Sequence, residues 1–314
     1  MDNKFDVVVI GGGAAGLAAS SVLARANRKT LLIDAGEKSN LASRASHGVF
    51  GHDDASPQVL YNKARQQLSS YAAASYVNDT ATDIEPEGGA FLVTTLSGKR
   101  YTTRKIILAQ GVKITLPDIS GLSSLWGTKA WHCPFCDGYK YRDKKLLIIA
   151  DRATIDHLSV ILPSWSRDLH WSSLDQDLSD ATKSRILASG GTLLGQVTKV
   201  SDTGLVVQAE FSNGFKQEFA AVVVGASAGY RNELADKLRC RRTSEGVVER
   251  NDDGATTVDG VYVAGDQTDI VRQVNVAAAS GHKVAAKIVE QLAHEDRLSE
   301  LKDWQLNSKE PPLS

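Results

Sequence analysis

A short apolar run that opens into Gly-x-Gly-x-x-Gly leaves a chain few ways to fold, and here Asp6-Val7-Val8-Val9-Ile10 leads directly into Gly11-Gly12-Gly13-Ala14-Ala15-Gly16. The run suits a parallel strand buried on both faces. Gly11, Gly13 and Gly16 allow a tight turn and close approach of a pyrophosphate, with Ala14 and Ala15 between them, and Leu17 to Ala26 supply the helix whose N-terminus would face those charges. Alone the motif is weak. Thr30-Leu31-Leu32-Ile33-Asp34 strengthens it, as a second strand ending in an acid about twenty residues beyond the glycines, where a ribose hydroxyl is bound. A βαβ dinucleotide-binding unit is therefore expected at the start of the chain.

The second informative stretch is Trp131-His132-Cys133-Pro134-Phe135-Cys136-Asp137-Gly138. Its two thiols stand one helical turn apart, a spacing that closes into a redox disulfide. A thiolate at the start of a helix is stabilised by unpaired backbone N–H groups and the helix dipole. A zinc site needs a second Cys-x-x-Cys or His-x-x-x-His, and only Cys240 remains, so no metal is expected. Asp137 suits two compatible roles, a helix cap and the acid and base for a departing thiol.

Three cysteines in 314 residues argue against a structural disulfide framework and for a catalytic pair. The formal net charge of −1, with both signs interspersed, gives no reason to expect a nucleic-acid or anionic-membrane partner. Met1-Asp2-Asn3-Lys4-Phe5 runs straight into the first strand without the pattern of a signal peptide, and no run of about eighteen apolar residues occurs, so a soluble cytoplasmic protein is expected. The length suits two ordinary domains.

Between these landmarks, Ala45 to His52 is a Gly-punctuated loop expected to line a cofactor, with His47 as its candidate residue, and Pro57 to Ala74 reads as an amphipathic helix. Tyr76 to Thr82 and Ala90 to Thr95 alternate like strands of an antiparallel patch, and Lys105 to Ala109 is a buried strand leading to Gln110 and the further candidate Gly111. After Pro117 the pattern restarts. Lys144 to Ile149 is another buried strand and Thr154 to Leu162 a helix, but the turn between them, Ala150-Asp151-Arg152-Ala153-Thr154-Ile155, has no glycine. An acid there would repel a pyrophosphate, and the next strand, Leu169 to Ser173, is not followed by an arginine cluster for a 2′-phosphate, so NADPH is disfavoured. Val197 to Ala209 and Phe215 to Val224 read as strands, Val261 to Ala264 as a short strand ending at Gly265-Asp266, and Val271 to Leu292 as a long helix. The tail from Glu295 to Ser314 is polar and expected to be largely solvated, with Trp304 as a lone large ring.

Together these motifs resemble the low-molecular-weight thioredoxin reductases within the pyridine nucleotide-disulfide oxidoreductases. The resemblance rests on Gly11 to Gly16, Asp34, Cys133 to Gly138, Gly260 to Asp266 and Arg272-Gln273-Val274, and spans nearly the whole chain. It implies an α/β fold of two Rossmann-like three-layer ββα domains. The FAD domain would be discontinuous (1–116 and 249–295), the middle domain (117–248) inserted with the dithiol, and 296–314 a tail. It implies FAD held by the glycine motif, with Gly265 and Asp266 at the ribityl or pyrophosphate part and Arg272, Gln273 and Val274 along the pyrimidine side of the flavin. It also implies Cys136 facing the flavin, Cys133 exchanging with a partner, and a homodimer. The altered turn at Ala150 to Ile155 sets the chain beside two branches. One is the dithiol oxidases similar to those for gliotoxin and holomycin, which pass electrons to oxygen. The other is nicotinamide-independent reductases fed by ferredoxin or a second flavin. Asp137 after the second cysteine matches the reductases, so the expected partners are a thioredoxin-like protein or small dithiol and a non-nicotinamide electron carrier. A flavin redox sensor without turnover is the third reading.

Overall fold

The computed structural model describes residues 3–175, 177–268 and 271–307. The chain divides into two compact units, one of residues up to 38, 61–112 and from 230 onward, the other of 39–60 and 113–229.

The first unit begins with β1 (Lys4–Ile10), α1 (Ala14–Arg25), β2 (Thr30–Asp34), α2 (Pro57–Leu68) and β3 (Ala74–Asn78), followed by β4 (Ala81–Glu87), β5 (Ala90–Thr95) and β6 (Arg100–Leu108). β3, β2, β1 and β6 are parallel neighbours in that order. The valine run of β1 is explained by its position: Val7 and Val9 enter one apolar cluster and Val8 and Ile10 another, so both pleat faces are covered. β4 and β5 form an antiparallel hairpin attached to the first half of β6.

Two expectations shift here. The strand containing Tyr76 is a parallel edge strand beside β2 rather than part of the antiparallel patch. As an edge strand it leaves Ser75, Tyr76 and Asn78 exposed, which says nothing of its pairing direction. The helix expected to reach Ala74 stops at Leu68, where Ser69 and Ser70 turn their hydroxyls back onto the Gln66 and Gln67 carbonyls.

The second unit carries β7 (Val112–Thr115), which spans the border, α3 (Leu122–Leu125), β8 (Ala130–Trp131), α4 (Pro134–Asp137), β9 (Leu146–Ala150), α5 (Arg152–Ile161), β10 (Leu169–Ser173), α6 (Asp180–Ala188) and β11 (Thr192–Leu193). Then come β12 (Val197–Asp202), β13 (Val207–Phe211), β14 (Lys216–Phe219), β15 (Ala221–Val224) and β16 (Ser227–Tyr230). β11, β10, β9, β15 and β8 make a parallel sheet, and β12 to β14 an antiparallel layer over it. Each long strand read from the sequence between Val197 and Val224 is thus two, broken at Gly204 and at Ala220.

The chain then returns to the first unit with α7 (Glu233–Lys237), β17 (Val261–Val263) and α8 (Val274–Asn307). β17 pairs in parallel with the end of β6 and completes that sheet. Both units are thus the expected Rossmann-like ββα build, with borders that differ from those expected. Residues 39–60 group with the dithiol unit, and residues 230–248 with the first, because Leu234, Ala235, Leu238, Cys240 and Val248 are buried in its core. α8 also outruns its expected end. Arg104 pairs with Glu295 and Asp296 at 2.8 Å each, Lys105 with Glu295 at 2.6 Å and Arg28 with Asp296 at 2.5 Å, which holds the polar continuation against the domain as helix. Trp304 lies on this helix, half-exposed, and residues 308–314 of the expected tail lie outside the described residues.

Candidate cofactor site and redox dithiol

In the first unit, β1 delivers the chain into the glycine turn. Gly11 takes a left-handed φ of 106°, and a Cβ there would meet the Ala109 carbonyl. A Cβ on Gly16 would run into the Gly11 carbonyl, so the third glycine lets α1 approach the strand end. Gly13 caps α1 with no side-chain hydrogen bond, and a Cβ on Gly13 would have open space around it. The result is an open helix N-terminus with Ala14 and Ala15 in its first turn, the arrangement that takes a pyrophosphate. Gly265, at the end of β17, and Gly281, on α8, both pack on Ala15, which brings the late Gly265-Asp266 segment to the same helix. Gly111 sits in an open left-handed turn just after β6.

Asp34 ends β2 where the sequence puts it, and is 2 % exposed. Its carboxylate accepts the Gly12 N–H at 3.2 Å and the Gly36 N–H at 3.0 Å, pairs with Lys38 Nζ at 2.9 Å, and accepts the Tyr76 hydroxyl at 3.3 Å. Burial pushes its pKa up, but the Lys38 hydrogen bond, the two N–H donors and the Lys38 charge together hold it below the usual carboxylate range. Lys38 and Tyr76 were not singled out from the sequence; Lys38 stands four residues after Asp34 in a turn that gives no helical cue. Arg272 lays its guanidinium over the Tyr230 ring at 5.7 Å, and Gln273 and Val274 open α8 beside it. The Nε of Arg272 and the Oε1 of Gln110 are buried without a hydrogen-bond partner among the described residues. An open helix N-terminus, an ionised acid at the strand end and orphaned polar atoms fit the pyrophosphate, ribose and polar ring edge of a flavin dinucleotide.

In the second unit the same strand–turn–helix ends differently. Asp151 caps α5, its Oδ1 accepting the Thr154 N–H at 2.7 Å, and the Arg152 N–H donates to Asp175 Oδ2 at 2.6 Å. Two carboxylates thus take the Arg152 and Thr154 N–H groups, donors of the kind that α1 leaves open. Asp175, which follows β10, was not recognised from the sequence.

The dithiol leaves β8. Cys133 and Cys136 form a disulfide with Cα atoms 5.3 Å apart, and the Cys133 sulfur accepts the Cys136 N–H at 3.2 Å. Pro134 sits at the first position of the short α4, where its missing N–H costs nothing. Both cysteines are half-buried, while Phe135 is 70 % exposed and meets Trp165 edge-on. Asp137 is half-buried beside them; burial raises its pKa, opposed by the charges of His47 and Lys140. Burial and the Asp137 charge push Tyr141 up to about 12. His47, expected among the cofactor residues, is placed in the dithiol unit within electrostatic reach of Asp137. Among the described residues no group of three His, Cys, Asp or Glu could hold a metal ion, and no helix is long and apolar enough to cross a membrane.

A strand-borne glycine turn in one unit and a Cys-x-x-Cys disulfide in the other define a disulfide oxidoreductase of the dinucleotide-binding type. The pyridine nucleotide-disulphide oxidoreductase family model matches residues 5–161 and 166–281, so the chain belongs to that family. It is an enzyme of the FAD-dependent, thioredoxin reductase-like class. The chain is 28 % identical to the thioredoxin reductase tcpT of Claviceps purpurea over 298 residues, covering 89 % of this chain and 92 % of that one. It is 39 % identical over 154 residues to a probable thioredoxin reductase of Arthroderma benhamiae, a match to 47 % of this chain that spans only 38 % of that protein's length. Among solved structures, HlmI superposes with a TM-score of 0.92 at 29 % identity, covering 97 % of each chain. The putative thioredoxin reductase TrxB of Bacillus anthracis gives 0.88 at 26 %, covering 92 % of this chain and 99 % of that one.

Proposed function

We propose that this chain is an FAD-dependent disulfide/dithiol oxidoreductase that works without NADPH. The observation that carries this reading is the capped N-terminus of α5: Asp175 and Asp151 already accept the Arg152 and Thr154 N–H groups, and a pyrophosphate would meet two carboxylates there. Gly11 to Gly16, Asp34, Gly265, Asp266 and Arg272 to Val274 are the residues that would hold FAD, which supplies a two-electron acceptor or donor when bound.

On the protein side, a thiol of a thioredoxin-like protein or small dithiol attacks the Cys133–Cys136 disulfide. A mixed disulfide forms at Cys133, the S–S bond breaks, and its electron pair leaves on Cys136, which takes a proton from Asp137. A second substrate thiol then closes the substrate disulfide and frees Cys133. Two electrons thereby enter the protein dithiol, and every step runs equally in reverse. Half-burial raises the Asp137 pKa, which moves the carboxyl towards the range of the thiol it would exchange a proton with. A carrier such as a ferredoxin-type protein or a second flavin completes the circuit, and the enzyme works as a cytoplasmic homodimer.

A second reading shares the capped α5 turn: with NADPH disfavoured, oxygen can serve as the terminal acceptor of a dithiol oxidase. Calorimetric titration of the purified enzyme with NADPH tests the common core. No heat of binding is expected, and saturable binding that Asp175→Ala leaves unchanged would refute the capped-turn argument.

A further inference from the structure

We propose that Gln267 is a positioning residue of the cofactor site, a buried clamp that holds the Gly265–Asp266 turn, Gln110 and Arg231 in place for FAD. The inference rests on the reading of the first unit as the FAD site.

Gln267 is 0 % exposed and ends a single 3₁₀ turn, Gly265–Gln267, that follows β17. Both ends of its amide are engaged. Its Oε1 accepts the Gln110 N–H at 3.3 Å, and its Nε2 donates to the Arg231 carbonyl at 2.6 Å and to Asn232 Oδ1 at 3.4 Å. The reverse orientation would set N–H against N–H at Gln110 and oxygen against oxygen at Arg231, so the amide fits one way round. Asn232 is 4 % exposed and donates from Nδ2 to the Gly246 carbonyl at 2.8 Å, so that its Oδ1 is the end that meets Gln267.

The segments joined in this way border the cofactor site. Gln110 lies against the glycine turn, since a Cβ on Gly11 would stand 3.1 Å from its Cα. Arg231 reaches the segment after β2, its guanidinium pairing at 2.9 Å with Glu37, close behind Asp34. At the start of the turn, Gly265 packs on Ala15 of α1 and donates its N–H to Ser280 Oγ at 3.1 Å. Asp266 is thus carried between two anchored neighbours, Gly265 and Gln267.

A second observation points from the clamp to a ligand. Gln110 Oε1 and Arg231 Nε are buried with no hydrogen-bond partner among the described residues, although Gln267 fixes the backbone of both. A buried acceptor and a buried donor are costly to leave unfilled. FAD carries complements to both: phosphate, carbonyl and hydroxyl oxygens for a guanidinium, and N–H and hydroxyl groups for an amide oxygen. The clamp therefore does more than tie chain to chain, because it holds two side chains whose polar atoms await a partner.

The test is the release of FAD from the diluted holoenzyme, followed as flavin passing an ultrafiltration membrane, together with the visible circular dichroism of the flavin that stays bound. Gln267→Met keeps the bulk and removes the amide's hydrogen bonds; it is expected to release FAD about tenfold faster and to change the flavin dichroism. Gln110→Ala and Arg231→Ala leave the clamp in place and are each expected to speed release severalfold. Added to the Gln110→Ala, Arg231→Ala double variant, Gln267→Met should have a smaller effect than it has alone, because side chains that it positions are gone. Unchanged release in Gln267→Met, or an effect fully additive with the two alanine substitutions, overturns the clamp. If Gln267→Met does not fold, the alanine variants decide, and unchanged release in both overturns the proposal. Wild-type protein that retains no FAD removes the cofactor reading on which the clamp stands.

Discussion

The Asp175 carboxylate accepts the Arg152 N–H at 2.6 Å, so a residue beyond β10 closes the first turn of α5. In the first unit the corresponding helix, α1, begins at Gly13 with no side-chain cap. One chain therefore holds two strand–turn–helix units of like design, one open to a phosphate and one filled by its own acids.

Removing the local cap should cost stability. Asp151→Ala leaves the Thr154 N–H without its acceptor and is expected to lower unfolding free energy by about 1 kcal/mol in urea denaturation, with flavin content unchanged.

Lys38 and Asp34 form the most buried ion pair of the cofactor site, with side chains 6 % and 3 % exposed. Lys38→Met strands a buried carboxylate and is expected to cost about 3 kcal/mol, the low end for such pairs because Gly12 and Gly36 still donate. The pH dependence follows from direction. Asp34 is held below its ordinary value of about 3.9, so its contribution is complete above that pH and lost as pH falls below it. Acid unfolding curves should show a shallower limb in Lys38→Met.

Asp137 behaves oppositely. Its pKa is raised by burial, so the native state loses stability as pH rises from the usual carboxylate range through the folded value. Asp137→Asn is expected to unfold at a higher temperature than wild type at pH 8 and to show little gain at pH 4, measured by thermal scans, while dithiol exchange slows.

Gly281 is where α8 crosses α1. A Cβ there would meet the Ala15 carbonyl, a backbone atom that cannot swing away, so Gly281→Ala should cost about 2 kcal/mol and release flavin more readily in ultrafiltration.

Much of this was legible in the sequence because it is local. The Gly11 to Gly16 turn, Asp34 as a strand end and the Cys133–Cys136 spacing are patterns of adjacent residues, and a glycine-free turn at Ala150 to Ile155 is as visible as a glycine-rich one. What escaped is non-local. Asp175 lies twenty-three residues from the N–H it accepts, and the anchors of the α8 continuation, Arg104 and Lys105, lie some 190 residues before Glu295. That residues 39–60, His47 among them, group with the dithiol unit is likewise set by tertiary packing, since a polar loop after β2 carries no sign of the unit it joins. The edge strand at Tyr76 shows the same limit, since its exposed side chains say nothing of a partner's direction.

The central claim is that no nicotinamide feeds this dithiol. Anaerobic stopped-flow mixing of the FAD-loaded enzyme with NADPH, followed by a dithiol, tests it most directly through the flavin absorbance. The account predicts no bleaching with NADPH on the turnover timescale and full bleaching with the dithiol in wild type but not in Cys136→Ser. Rapid, saturable bleaching by NADPH alone would contradict it.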